Sequence, residues 1–129
     1  PSAAEPALRE VIARDPQNAA ALHNLGSILY RLGRFDEAIA TYRRSLELRP
    51  NTASTYLHLG FALREGAKVD DAIAAWNQAI GTATGPGDSI ALEASQSIRQ
   101  IQAERKNSSQ AGFREDRSRN SNKTGERGR

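Results

Sequence analysis

The residues of this 129-residue chain that are best suited to chemistry are its only two histidines and two pairs of adjacent acids. His23 and His58 offer imidazole ligands, and Glu65 is the nearest further candidate ligand. Zinc sites usually need four well-placed ligands, so this set falls short of a metal centre. We therefore expect His23 and His58 to be partly exposed helix residues that hold no metal.

The acid pairs, Asp36-Glu37 and Asp70-Asp71, stand where two helices are expected to begin. Carboxylates at such positions stabilise the positive end of the helix dipole, which accounts for them without catalysis. Cysteine is absent, which excludes disulfides and thiolate ligands. The sequence also lacks a nucleophile–base pattern, a phosphate-binding loop and a nucleotide motif. We predict a protein that is not an enzyme, with no catalytic residue and no cofactor.

The elements that carry these residues repeat at a fixed interval of 34 positions. Leu25-Gly26 returns as Leu59-Gly60, and Ala38-Ile39-Ala40 returns as Ala72-Ile73-Ala74. Within each copy, apolar residues recur at the spacing of one helix face, and glycine or proline marks the helix end. Such a period predicts stacked helix pairs, because one pair alone leaves an apolar face in water.

Helix start and stop signals give the predicted organisation of the chain. Residues 2–16 align with 36–50, so the chain is expected to open in mid-repeat, as a fragment or a processed chain. After Gly85-Pro86-Gly87, Asp88 or Ser89 is expected to cap a last helix. The predicted segments are the second helix of a truncated repeat at 1–16, full repeats at 17–50 and 51–84, a C-terminal capping helix at 85–105 and a disordered basic tail at 106–129.

The recurring residues resemble the signature of the tetratricopeptide repeat family. Two departures are mild, since Ser45 and Thr84 stand where the family usually has Ala and Pro. The resemblance implies an all-α fold, a right-handed α-solenoid of helix-turn-helix repeats with a capping helix. The matching positions are Leu22, Leu25, Gly26, Leu29, Ala38, Tyr42 and Pro50 in the first full repeat, and Tyr56, Leu59, Gly60, Leu63, Ala72, Trp76 and Ala79 in the second.

The resemblance also implies a function, because in this family the first helix of each pair lines a concave groove that binds a peptide or a partner helix. Asn24 matches the position of an Asn that bonds the ligand backbone in many members. The Lys and Asn clamp of chaperone-binding members is absent, which argues against recognition of chaperone tails. The predicted groove residues are His23, Asn24, Ser27, Tyr30, Arg31, Leu57, His58, Phe61, Arg64 and Glu65.

The expected partner is a protein or peptide of mixed acidic and apolar character. Arg31 and Arg64 favour acidic groups, and the large apolar groove residues suit apolar side chains. A plainer interpretation stays open for some of these residues. Asn24 is also explained as a polar surface residue, and Leu57 and Phe61 as side chains that pack against the adjacent repeat.

Basic charge is concentrated at the C-terminal end of the chain. Residues 1–101 carry 10 Lys+Arg and 11 Asp+Glu, whereas residues 102–129 carry 8 and 4. Residues 106–129 hold one large apolar residue, Phe113, and are therefore predicted to be disordered. An alternative function follows, in which this basic tail makes phosphate contacts with nucleic acid. A third hypothesis is that the chain is the repeat-bearing part of a larger enzyme or sensor.

Two further expectations concern partners and location. No apolar run approaches the ~20 residues that cross a bilayer, so no membrane partner is expected and a cytoplasmic location is predicted. The helix predicted at 3–14 lacks its own partner helix, which leaves one side of Leu8, Val11 and Ile12 uncovered. Repeat arrays need covered ends, so weak self-association through this end is expected.

Overall fold

A computed structural model describes the backbone of residues 4–85 and 87–127 and the side chains of residues 4–85 and 87–108. All regular structure in those ranges is α-helical, as the sequence predicts. The described helices are α1 (Ala4–Arg14), α2 (Ala19–Arg31), α3 (Phe35–Leu48), α4 (Ala53–Glu65), α5 (Val69–Thr82) and α6 (Ser89–Arg127). The first five begin and end within two residues of the bounds that the apolar periodicity and the stop signals predict, which are 3–14, 18–33, 36–49, 52–66 and 70–83.

The helices of the first compact unit, Pro1–Ser97, stack in chain order. α2 packs against α3, and α4 packs against α5, which gives the two helix pairs that the recurrence predicts. α1 packs on α2 and α3 packs on α4, so each pair is joined to the element before it. α2 and α4 also touch directly. The fold is therefore an α-solenoid in which the first helices of the two pairs are neighbours.

The turns between helices explain most of the helix bounds. The Asn18 side chain accepts from the Ala21 backbone N–H at 3.0 Å and caps α2. Gly33 has φ of 77° and ends α2 in the left-handed conformation, as predicted. After α4 the left-handed residue is Ala67, with φ of 63°, and not Gly66. Gly66 is the C-cap of α4, so a glycine marks the end of this helix as predicted, and Ala67 stands at the position equivalent to Gly33.

The first and last helices differ from the repeats. In α1 no residue is buried, and an ion pair of 2.8 Å between Glu5 and Arg34 ties its first turn to the start of α3. At the start of α6 the Asp88 carboxylate accepts from the Ile90 N–H at 2.8 Å, which confirms the predicted cap.

α6 runs beyond its predicted end at residue 105 and continues to Arg127. The sequence after 105 contains no proline, and a helix satisfies its own backbone groups without a core. Side chains from residue 109 onward lie outside the described residues. The expectation that residues 106–129 add no stability therefore stays a prediction.

Candidate functional site

The ten predicted groove residues lie on two neighbouring helices, five on α2 and five on α4. The histidine of the first repeat bridges these helices, because His23 Nδ1 lies 2.9 Å from Thr55 Oγ1. Thr55 is buried, so this hydrogen bond joins the repeats beneath the surface. The structure thus places the two halves of the predicted groove side by side.

A row of aromatic rings connects the groove with the core of both repeats. The His23 ring centroid lies 5.5 Å from that of Tyr42 and 5.2 Å from that of His58. The row continues from His58 to Phe61 at 6.1 Å and from Phe61 to Trp76 at 5.8 Å. Tyr42 and Trp76 are fully buried, whereas the other three rings are half-buried. Such rings, fixed from below, form a rigid and partly apolar surface.

Hydrogen bonds determine which ring nitrogen of each histidine carries a proton and which can accept a hydrogen bond. His58 Nδ1 lies 2.6 Å from the Ser54 carbonyl oxygen, which only accepts, so this nitrogen carries a proton. Nε2 of neutral His58 is then an acceptor. His23 faces the Thr55 hydroxyl, which both donates and accepts, so either nitrogen of neutral His23 can be protonated.

Burial lowers the pKa of His23 below its usual value of 6.5, and the neighbouring His58 lowers the pKa further. His23 is therefore held neutral at pH 7. Burial also raises the pKa of the Tyr42 hydroxyl, while its hydrogen bond with Ser27 acts in the opposite direction. Both groups are therefore uncharged at neutral pH.

Ser27, another predicted groove residue, is engaged within the fold. Its hydroxyl donates to the His23 carbonyl oxygen at 3.2 Å and lies 2.8 Å from the Tyr42 hydroxyl. Because Ser27 has a single hydroxyl proton, Tyr42 is the donor in the second bond. Ser27 therefore positions Tyr42 and is not available as a donor to a ligand.

The side chain of Arg64 is less exposed to solvent than the sequence suggested. Its guanidinium carbon lies 5.4 Å from the Phe61 ring centroid and 5.7 Å from that of Trp76. Its side chain is 31% exposed, and its Nε lies 3.5 Å from the Glu65 carboxylate. Stacking on two rings holds this cation against the core surface. Arg64 is thus part of the groove wall.

The remaining predicted residues divide into exposed and buried ones. Asn24 and Arg31 are exposed, and the Asn24 amide has no hydrogen-bond partner among the described residues. Tyr30 is half-buried, with its ring 5.7 Å from Phe35. Leu57 is only 3% exposed, so its predicted contact with a ligand is wrong and its side chain belongs to the core.

A polar cleft of about 200 Å³ opens beside His23 and Asn24. The described residues that line it include no acid, and Arg49 provides its formal positive charge. Sequence reasoning missed Arg49 and Thr55. The one available signal was a polar Thr55 where the preceding repeat has Ala21. The lining consists of Ala19, Ala20, His23, Asn24, Ser45, Arg49, Thr52, Ser54 and Thr55.

Other chemistries find little support in the described part of the chain. Within residues 4–85 and 87–108, no group of three or more His, Asp or Glu side chains is placed to hold a metal ion. The acid pairs lie in the first turns of α3 and α5, where the sequence placed them. None of the described helices combines the length and the apolar character that crossing a membrane requires.

Comparisons with known proteins agree with this architecture. A family profile described as tetratricopeptide repeat matches residues 1–53. A structure of MamA (AMB-1) is 31% identical, with a TM-score of 0.58, and the match covers 60% of this chain and 46% of that one. Another MamA structure is 27% identical, with a TM-score of 0.60 and coverage of 63% and 44%. A search of curated protein sequences gave no match.

A structure of an O-GlcNAc transferase mutant from Thermobaculum terrenum is also similar. It is 31% identical, with a TM-score of 0.59, and the match covers 60% of this chain and 15% of the transferase chain. The chain thus spans less than half of the length of each of these proteins. The shared part is the helical repeat, and within it residues 1–53 match the tetratricopeptide repeat family.

Proposed function

We propose that this chain is a non-enzymatic protein-interaction scaffold whose groove along α2 and α4 binds a peptide or a partner helix. The observation that carries the proposal is the row of half-buried rings, His23, His58 and Phe61, beside the unpartnered amide of Asn24. The rings offer apolar contact area at low entropic cost. An amide has donors and an acceptor, so it pairs with a peptide unit of any sequence.

The charges around the groove favour a ligand that carries acids as well as apolar side chains. Arg31 is exposed, Arg49 lines the polar cleft, and Arg64 stacks on the groove wall. Glu65 is the single acid among the predicted groove residues, and its carboxylate forms an ion pair with Arg64. With two full repeats the groove is short, so we expect affinities of about micromolar.

The test is a peptide-array screen with sequences that combine acidic and apolar residues, followed by titration of the best peptide. The double variant Asn24→Ala/Arg31→Ala removes two exposed groups, and it should weaken binding by about tenfold or more. The matched control is Arg43→Ala/Asn77→Ala, which changes the same residue types at exposed positions of α3 and α5. Equal affinity of wild type and groove variant would refute the proposal.

The alternative function assigns binding to the basic tail. Its support is the excess of basic over acidic residues in 102–129. A chain that ends at residue 105 separates the two hypotheses. Under the groove hypothesis it binds the peptide unchanged, whereas under the alternative it loses a salt-dependent affinity for nucleic acid.

A third hypothesis concerns a longer parent protein. The transferase match shows that this kind of repeat occurs in a chain far longer than the shared part. An enzymatic or sensor domain elsewhere in the parent would make this chain its targeting module. The full-length gene sequence tests that idea, and fractionation of cells tests the proposed cytoplasmic location.

A further inference from the structure

A second cleft, of about 420 Å³, lies between α1 and α3, with α2 as its floor. Ion pairs join the two flanking helices, at 2.8 Å between Glu5 and Arg34 and at 3.7 Å between Arg9 and Glu37. Among the described residues, α1 and α3 each pack on α2 and not on each other. The cleft is lined by Arg9, Ile12, Ala13, Leu22, Leu25, Ala40, Thr41 and Arg44.

Small side chains account for this space. Leu22 forms part of the floor, at the position where the next repeat has the larger Tyr56. The walls carry Ala13 from α1 and Ala40 from α3, which reach only a short way into the gap. The cleft is open to solvent, since both of these alanines are exposed. A gap of this size therefore provides room for a large apolar side chain from another molecule.

The charge of the cleft indicates which kind of partner group would lie next to the inserted apolar side chain. The described residues that line the cleft include no acid. Arg9 already pairs with Glu5 at 2.9 Å. Arg44 is exposed and makes no ion pair or hydrogen bond with any described residue. The cleft thus combines an apolar floor with one uncompensated guanidinium at its rim, which complements a carboxylate.

We propose that this cleft docks a partner helix by receiving one large apolar side chain, with an adjacent Asp or Glu of that helix placed against Arg44. The site is separate from the groove, since it uses α1, the floor residues of α2 and the exposed side of α3. A scaffold built this way holds two partners at once, one in the groove and one in the cleft.

Small probes test the chemistry directly. N-acetyltryptophan presents an indole next to a carboxylate, and N-acetyltryptophanamide presents the same indole without the charge. In ¹H–¹⁵N correlation spectra, the acid should shift the backbone signals of Ile12, Ala13, Ala40 and Thr41. The amide should bind about two- to fivefold more weakly, which is the range for an exposed ion pair. Equal shifts with both probes would refute the role of Arg44.

Substitutions in the floor, the wall and the rim of the cleft locate the site. Leu22→Tyr should fill the floor and abolish the shifts. Because Leu22 is buried, Ala40→Leu, at an exposed wall position, narrows the cleft if Leu22→Tyr fails to fold. Arg44→Gln should weaken binding of the acid about two- to fivefold, while the control Arg43→Gln leaves it unchanged. Shifts that survive both filling substitutions would overturn the proposal.

The remaining outcomes separate this proposal from its competitors. A dimer that forms without probe and disappears in Leu22→Tyr would mean that a second copy occupies the cleft, which overturns the assignment to a foreign helix. The groove variant Asn24→Ala/Arg31→Ala should bind N-acetyltryptophan normally. Failure of the groove hypothesis is therefore distinguishable from failure of this one.

Discussion

The indole of Trp76 lies directly over Gly60, so closely that a Cβ atom on residue 60 would overlap with Trp76 Nε1. Trp76 is fully buried, and its Nε1 donates to the Leu57 carbonyl oxygen at 3.2 Å. Gly26 and Tyr42 repeat the relationship, since a Cβ on Gly26 would lie 2.7 Å from the Tyr42 ring. The aromatic residue in the second helix of each pair thus requires a glycine in the first.

Gly60→Val should destabilise the protein by about 1–3 kcal/mol, because the new side chain overpacks the contact with Trp76. The control is Gly81→Ala, in α5, where a Cβ meets nothing within 4 Å. That substitution should raise the free energy of unfolding by about 0.5–1 kcal/mol through helix propensity alone. Urea unfolding followed by circular dichroism measures both. An unchanged midpoint for Gly60→Val would show that the helices do not cross at this glycine.

Ala67→Gly should stabilise the protein by about 1 kcal/mol, because Ala67 has φ of 63°, a conformation that costs an L side chain roughly 1–2 kcal/mol. Gly33→Ala is the reciprocal change at the equivalent turn, where φ is 77°, and it should destabilise. The free energies of unfolding of both variants are measured in the same urea series. Two shifts of the same sign would contradict this account of the turns.

Stability should fall as the pH drops below about 6.5, because His23 has a lowered pKa in the folded protein. In that range the unfolded chain binds more protons than the folded one, so acidification favours unfolding. Above it, His23 is neutral in both states and contributes no pH dependence. Thermal unfolding between pH 5 and 8 measures the slope. His23→Gln should reduce it, and a slope that is unchanged in this variant would exclude His23 as the cause.

Removal of residues 106–129 should leave the thermal midpoint unchanged, because their composition provides too few apolar groups to form a core. Limited proteolysis should cut first within this segment and leave a compact product with the same helical signal per folded residue. Protection of the segment from protease, or a lower midpoint after its removal, would show that it packs on the remainder of the chain.

Self-association should proceed through α1, where Val11 is 42% exposed and Ile12 is half-buried. Sedimentation equilibrium should give a mass that rises weakly with concentration, and Val11→Lys should suppress the rise. Leu32→Lys is the control, since Leu32 is a similarly exposed apolar residue, at 44%, outside α1. A monomer at every concentration, or equal effects of the two variants, would count against this end as the contact.

The recurrence predicts the helices well, because the same residues that repeat are the ones that pack. The pairs Leu25-Gly26 and Leu59-Gly60 are buried as expected, and both ends of the first five helices fall within two residues of the prediction. After α4, Gly66 caps the helix, but the left-handed residue is Ala67, which holds the repeat position of Gly33. There the fold imposes a conformation that local preference would not select.

The groove was predicted less completely. Periodicity predicts which face of a helix a residue lies on, but it does not predict which side chains of the neighbouring helices that residue contacts. Leu57 lies on the predicted face of α4 and is nevertheless core. The hydroxyl of Ser27 is used by Tyr42, and Arg64 lies on the ring of Trp76. Each of these outcomes depends on side chains that are distant in sequence, and a single sequence does not specify those contacts.

The buried indole has an optical consequence. Trp76 is the only tryptophan in the chain, and it lies in the core with the Arg64 guanidinium 5.7 Å from its ring. Its fluorescence should therefore be blue-shifted in the folded state and move to the red on unfolding, without any added dye. A ligand that draws Arg64 away from the ring changes the field at the indole and hence its emission. The protein thus carries a built-in reporter that distinguishes occupation of the groove from occupation of the distant α1–α3 cleft.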